Sequence, residues 1–285
     1  MKWTVLSDNR SGDGHLPTEH GLSILLETAR HRILLDTGAT DLFVRNAEVL
    51  GIDLSTVDYV FISHGHSDHA GGLQHFMTRN NRAKIIVSPH ALNGKFFSKR
   101  GRLHSLTPEW PAMAEDKILK VDETCKIDDG LYVIAQITHH HPMPKGNSHL
   151  YAEDTDGNLV NDDFRHELAL YADGLLFTGC AHSGLENILT ACPWPVHTVL
   201  GGFHLLDKGV SRTSQAPTGT SPCVPPLGES EEELTAMAER LKANYPAIRF
   251  YTSHCTGDSV FEILKATMKD QLLRFNCGMS INNNY

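Results

Sequence analysis

Between positions 64 and 69 the chain carries His64, His66, Asp68 and His69, three imidazoles and a carboxylate within six residues. Neutral imidazole nitrogen suits zinc, iron, copper and nickel, and a carboxylate completes or extends the same sphere. The run Tyr59-Val60-Phe61-Ile62 before them is short, β-branched and aromatic, and reads as a buried strand. The small residues after it read as a tight turn, and Leu73, Phe76 and Met77 follow Gly71-Gly72 at helical spacing. The ligand types therefore lie where a strand ends and a helix begins. On extended backbone His64 and His66 point the same way, whereas Asp68 and His69, past the turn, aim elsewhere and could hold a second ion. The plain alternative is a hydrophilic loop in a chain with 18 histidines. The preceding strand and the Gly-Gly-helix that follows are what a metal loop needs.

The elements that position these residues follow from the rest of the chain. Its 285 residues can bury a sizeable core, and 40% hydrophobic with 21% charged residues is ordinary for a globular protein. A net charge of −9 with no Lys/Arg-rich stretch argues against nucleic acid as a partner. No apolar run approaches the roughly 20 residues of a membrane span, and Met1-Lys2-Trp3 opens into a strand-like segment rather than a signal peptide. Six irregularly spaced cysteines form no disulfide framework, which points to a reducing cytoplasm. Strands are expected from Trp3, at Leu22 to Leu26, before Asp36, at Lys84 to Val87, from Leu131, at Val196 to Leu200 and at Ile248 to Thr252, the last clear one. Leu168-Ala169-Leu170 and Leu175-Leu176-Phe177 read as a hairpin turning at Asp173-Gly174. Helices are expected after Thr40-Asp41, at the capping box Ser230-x-x-Glu233, and around Phe261, Leu264 and Met268. The stretch from about 90 to 120 reads as an irregular crossover. Residues 207–229 read as a flexible insertion of Gly, Ser, Thr and Pro. Strands and helices intersperse without a composition break, so residues 1–285 are read as one domain.

His64-x-His66-x-Asp68-His69, with Asp36-Thr37-Gly38 closing an earlier strand, resembles the signature of the metallo-β-lactamase superfamily. That resemblance implies an α+β fold, a four-layer αββα sandwich, and a metal-dependent hydrolase. Leu6-Ser7-Asp8-Asn9, Thr18-Glu19-His20-Gly21-Leu22-Ser23, Gly179-Cys180-Ala181-His182-Ser183-Gly184, Gly201-Gly202-Phe203-His204-Leu205 and His254-Cys255-Thr256-Gly257 narrow it further. In this order they look like the subfamily named for 7,8-dihydropterin-6-methyl-4-(β-D-ribofuranosyl)aminobenzene-5′-phosphate synthase.

A two-ion site of this kind needs further donors at strand ends. His182 is expected to join His64 and His66 on one ion, with His166 as the fallback. His254 is expected to join Asp68 and His69 on the other. The superfamily places a bridging Asp where this chain has Cys180; a thiolate there favours zinc, and a small buried apolar residue is the alternative. The expected cofactor is Zn²⁺, two ions, with iron or manganese as alternatives. Asp68 would orient the nucleophilic water, Glu19 would shuttle a proton or hold a loop salt bridge, and His20 and His204 would meet the substrate. The reaction expected is hydrolysis of a small ester, lactone or phosphate-containing molecule by metal-activated water. The rivals are a synthase-like transferase that displaces phosphate, a non-catalytic metal-dependent ligand-binding protein, and di-iron redox chemistry. No oligomeric state is implied.

Overall fold

Alternation along the strands decides the layering. In Lys2–Ser7, Trp3 and Val5 face away from Leu6; in Arg32–Leu35, Ile33 and Leu35 oppose Leu34; in Leu175–Phe177, Leu175 and Phe177 oppose Leu176. A computed structural model, which describes residues 1–12, 14–206 and 228–282, puts the first-named residues of each strand in one apolar layer between two sheets. Leu6 and Leu34 pack instead with residues of the helices Leu42–Val49, Leu73–Met77 and Pro89–Asn93. Leu176 packs with residues of Leu185–Ala191, Glu231–Asn244 and Asp258–Met268. Helix, sheet, sheet, helix is the expected α+β sandwich.

The two sheets share one pattern. The first runs Ser280–Asn282, Lys2–Ser7, Ser23–Glu27, Arg32–Leu35, Tyr59–Phe61, Lys84–Val87, Ile118–Lys120. The second runs Cys125–Asp128, Leu131–Ile134, Ala169–Ala172, Leu175–Phe177, Thr198–Leu200, Arg249–Thr252, Leu272–Arg274. In each, three antiparallel pairings are followed by three parallel ones. The parallel strands matter for chemistry, because side chains at their carboxyl ends converge on one rim.

Two sequence expectations are revised. The stretch read as an irregular crossover contains a hairpin, Phe96–Arg100 with Arg102–Ser105, that joins Leu150–Glu153 and Leu159–Asn161 in a third, four-stranded sheet. Its second strand is exposed along its whole length, so no apolar alternation marked it. Two short strands follow the one at Arg249–Thr252, one of them pairing with the first strand of the chain. The insertion expected at 207–229 lies, but for its last two residues, outside the described residues. No helix among the described residues is long and apolar enough to cross a membrane.

The metal-loop helix is seated by a close approach at Gly72, where an added Cβ would stand 2.1 Å from the Thr37 carbonyl oxygen and 2.6 Å from that of Thr40. Both obstacles are backbone. Gly72→Ala is therefore expected to destabilise the fold by about 1–3 kcal/mol, read as a lower denaturation midpoint in urea; an unchanged midpoint would contradict this packing.

Candidate metal centre

The loops after the strands Arg32–Leu35 and Tyr59–Phe61 face those after Leu175–Phe177, Thr198–Leu200 and Arg249–Thr252 across one rim. Between them opens a cleft of about 490 Å³ lined by His66, Asp68, Cys180, His182, His204 and His254 among others. Four residues just past those strand ends, Asp36, Ala181, His204 and His254, take left-handed φ of 55°, 54°, 47° and 54°. Such a conformation costs a non-glycine residue roughly 1–2 kcal/mol, and it turns the chain sharply enough to aim side chains over the rim.

One carboxylate organises the metal loop. Asp36, fully buried, accepts the Ser63 N–H at 2.7 Å on Oδ1, and on Oδ2 the Ser63 hydroxyl at 2.7 Å and His69 Nδ1–H at 2.6 Å. Because Ser63 Oγ donates to Asp36, it must accept from His64 Nδ1 at 2.9 Å. Both imidazoles are thereby protonated on Nδ1, which leaves Nε2 with a bare lone pair, the form a metal ligand needs.

His182 is set the same way from the other sheet. The Asn147 amide donates to the His182 carbonyl at 2.8 Å, so its oxygen accepts from His182 Nδ1 at 3.0 Å. Glu167 accepts the backbone N–H of His182 and Ser183, each at 2.6 Å. The Nε2 atoms of His64, His66 and His182 are buried without a hydrogen-bond partner among the described residues. These three residues offer ligand atoms within 4.8 Å of one another. Three buried ring nitrogens with no partner are costly unless a cation lies between them. Burial, reinforced by neighbouring histidines, holds His64 and His182 well below the usual imidazole pKa and His66 down to about 3. Their lone pairs are open at neutral pH.

A second cluster adjoins the first. His69 Nε2 lies 3.0 Å from His254 Nε2 and 3.1 Å from Cys180 Sγ, and Asp68 Oδ2 lies 3.3 Å from His254 Nε2. His254 is held by Asn9, whose amide donates to the His254 carbonyl at 3.1 Å and accepts from Nδ1 at 3.0 Å. Burial works against charge on His254, but the Asp68 carboxylate and Cys255 beside it lift its pKa to about 9. This cluster demands a positive charge, whether a proton or a metal ion. Cys180 offers a ligand atom within 4.8 Å of those of His64 and His69, of His182 and His204, and of His254 and Cys255. Its sulfur thus neighbours both clusters. Burial pushes this thiol well above its ordinary range, so it would ionise only with a cation beside it.

The structure brings His64, His66, Asp68, His69, Cys180, His182 and His254 to one rim. His20 joins them, its Nε2 at 3.4 Å from Asp68 Oδ2 and its ring stacked on His254. His166, the fallback ligand, has both nitrogens engaged: Nδ1 accepts from the Gly65 N–H at 3.0 Å and Nε2 contacts Asp162 at 3.0 Å. Glu19 is not placed to shuttle protons in the cleft. Its carboxylate closes the neighbouring turn, accepting from Ala39 N–H at 3.1 Å and from Thr40 Oγ1 at 2.6 Å. Neither asparagine bracket was anticipated. Asn9 stood in a quoted motif without a role, and nothing local marks Asn147.

Residues 16–157 match the model of the metallo-beta-lactamase superfamily. An uncharacterized protein of Methanocaldococcus jannaschii is 30% identical over 198 residues, covering 68% of this chain and 75% of its own. The 7,8-dihydropterin-6-methyl-4-(beta-D-ribofuranosyl)-aminobenzene-5'-phosphate synthase of the same organism is 24% identical over 98% of this chain and 95% of its own length. A crystal structure described as a metal-dependent hydrolase of the beta-lactamase superfamily superposes with a TM-score of 0.77 at 24% identity, covering 100% of both chains.

Asp36→Asn puts an amide donor against donors that now share one carboxylate. Zinc affinity is expected to fall about 10–100-fold with the fold retained, measured by competition with a chromogenic chelator. The pH behaviour follows from His66. An imidazole whose pKa drops from the ordinary 6.5 to about 3 on folding takes up a proton on unfolding between those values. Its contribution to stability is therefore full above pH 6.5 and is lost as pH falls toward 3. In chelator-stripped protein the melting temperature should fall more steeply across that window than in His66→Gln; parallel curves would contradict the assignment.

Proposed function

We propose, for a chain that belongs to the metallo-beta-lactamase superfamily, a metal-dependent hydrolysis of a small ester, lactone or phosphate-containing substrate. The observation that carries the reading is the row of buried, unpartnered Nε2 atoms on His64, His66 and His182 beside the Asp68, His69, Cys180 and His254 cluster, with His66, Asp68, Cys180, His182 and His254 lining an open cleft. These donors fit zinc, with iron or manganese as alternatives. Bound divalent ions would supply Lewis acidity and lower the pKa of water toward neutrality.

The remaining work falls to the protein. Asp68 Oδ2, between His254 at 3.3 Å and His20 at 3.4 Å, can accept a proton from a reacting water and orient it. Asn9 Nδ2 donates to His20 Nδ1 at 3.1 Å, which leaves the His20 proton on Nε2, facing Asp68 at the exposed lip. His20 can deliver that proton to a departing group, a more specific role than substrate contact alone. Arg100 lines the cleft and has no ion-pair partner among the described residues. An unpaired cation there favours a substrate bearing phosphate or carboxylate.

The similarity to the synthase supports a second reading, transfer with loss of phosphate, in which the same donors serve a carbon or nitrogen nucleophile. Metal-loaded protein is expected to hydrolyse members of a panel of esters, lactones, phosphomonoesters and phosphodiesters. The His64→Ala, His66→Ala double variant should lose metal and more than about 100-fold of that activity. Unchanged metal stoichiometry in the double variant would end the proposal. Oxygen-18 from solvent water in the product separates hydrolysis from transfer.

A further inference from the structure

Cys180 has a second sulfur near it. The loops at 201–205 and 253–257 are zipped together: Phe203 N–H donates to Thr256 Oγ1 at 3.0 Å, Gly257 N–H to the Leu205 carbonyl at 2.9 Å, and His204 N–H to Cys255 Sγ at 3.2 Å. This stitching sets His204 and Cys255 side by side. Gly202 makes room for the thiol, since an added Cβ would stand 2.4 Å from Cys255 Sγ. His204 is only 7% exposed, and both its ring nitrogens are buried without a hydrogen-bond partner among the described residues. Its left-handed φ of 47° turns the ring into the cleft, where the centroid lies 4.2 Å from that of His182. His204 and Cys180 belong to one group of ligand atoms within 4.8 Å of one another, and Cys180 and Cys255 to another.

Two sulfurs beside an imidazole whose ring nitrogens have no hydrogen-bond partner among the described residues are the donor set of a soft cation. We propose that Cys180, Cys255 and His204 form a further, sulfur-rich cation position beside the two clusters already described, taking a divalent ion of the zinc class. Binding leaves both sulfurs as thiolates, with any thiol proton passing to solvent, so two negative charges balance one dication where uncompensated charge is costly. The position shares Cys180 with the proposed hydrolytic site but does not depend on turnover.

The test is metal content of the full chain after equilibrium dialysis against zinc, for wild type, Cys255→Ser, His204→Ala and the His64→Ala, His66→Ala pair. Cys255→Ser and His204→Ala should each hold one zinc fewer than wild type. In cobalt-loaded protein the sulfur-to-cobalt charge-transfer absorption should fall by at least about half in Cys255→Ser, because the Cys255 sulfur is gone and Cys180 loses the ion they share. Full zinc content and undiminished absorption in Cys255→Ser would overturn the proposal. A readout on wild type covers the case of a misfolded variant: zinc should slow alkylation of Cys255 by iodoacetamide at least about tenfold, and equal labelling with and without zinc would overturn it too. Loss of zinc in Cys255→Ser, with none lost in the double histidine variant, would uphold this position while removing the hydrolytic reading.

Discussion

The Asp36 carboxylate is the contact on which both clusters rest. It receives three hydrogen bonds at 2.6 to 2.7 Å with no exposure to solvent, and hydrogen bonds to a charged acceptor are among the stronger ones in proteins. Through Ser63 it fixes the tautomer of His64, and directly it fixes that of His69. A single buried charge thus decides which nitrogen faces the cleft in one residue of each cluster. The left-handed turn at Asp36 lets its carboxylate reach back under the loop that follows the next strand. The strain of that turn is offset by the three hydrogen bonds its carboxylate receives.

The histidines from the second sheet are set by amides. Asn147 and Asn9 each grip a histidine by its own carbonyl and its Nδ1. An amide fixes orientation without adding negative charge, which suits a rim that already carries Asp68 and Cys180. Asp36 does bring charge, but it lies behind the loop rather than in the cleft. The clusters are therefore surrounded by groups that define geometry while leaving most of the charge balance to whatever binds.

The metal loop was legible because its four donors occupy one stretch and need only a strand before and a helix after. Cys180, His182 and His254 could be found because each follows an apolar run that had to be a strand, and strand ends in such a sandwich share a rim. The choice between His182 and His166 depended on which nitrogens the folded chain would leave bare, a tertiary fact. Asn147 and Asn9 meet their histidines across 35 and 245 positions, with no local signal. Glu19 was misplaced because an acidic residue beside a histidine in an early loop says nothing about which way it turns. The exposed hairpin at 96–105 escaped for want of apolar alternation. The likeness of the two sheets is absent from the sequence and plain in the strand pairings, since the same order of antiparallel and parallel pairing can be built from unrelated apolar residues.

The donors come from both halves of the sandwich. His64, His66, Asp68 and His69 follow strands of one sheet, and Cys180, His182 and His254 follow strands of the other. A cation held by either cluster would be a rivet through the two sheets at this rim. Occupancy would then be felt as shear stiffness in the Trp3, Phe61 and Phe177 layer that the sheets share. The rim would behave as a clasp on the whole sandwich, and loading it would be a mechanical event as much as a chemical one.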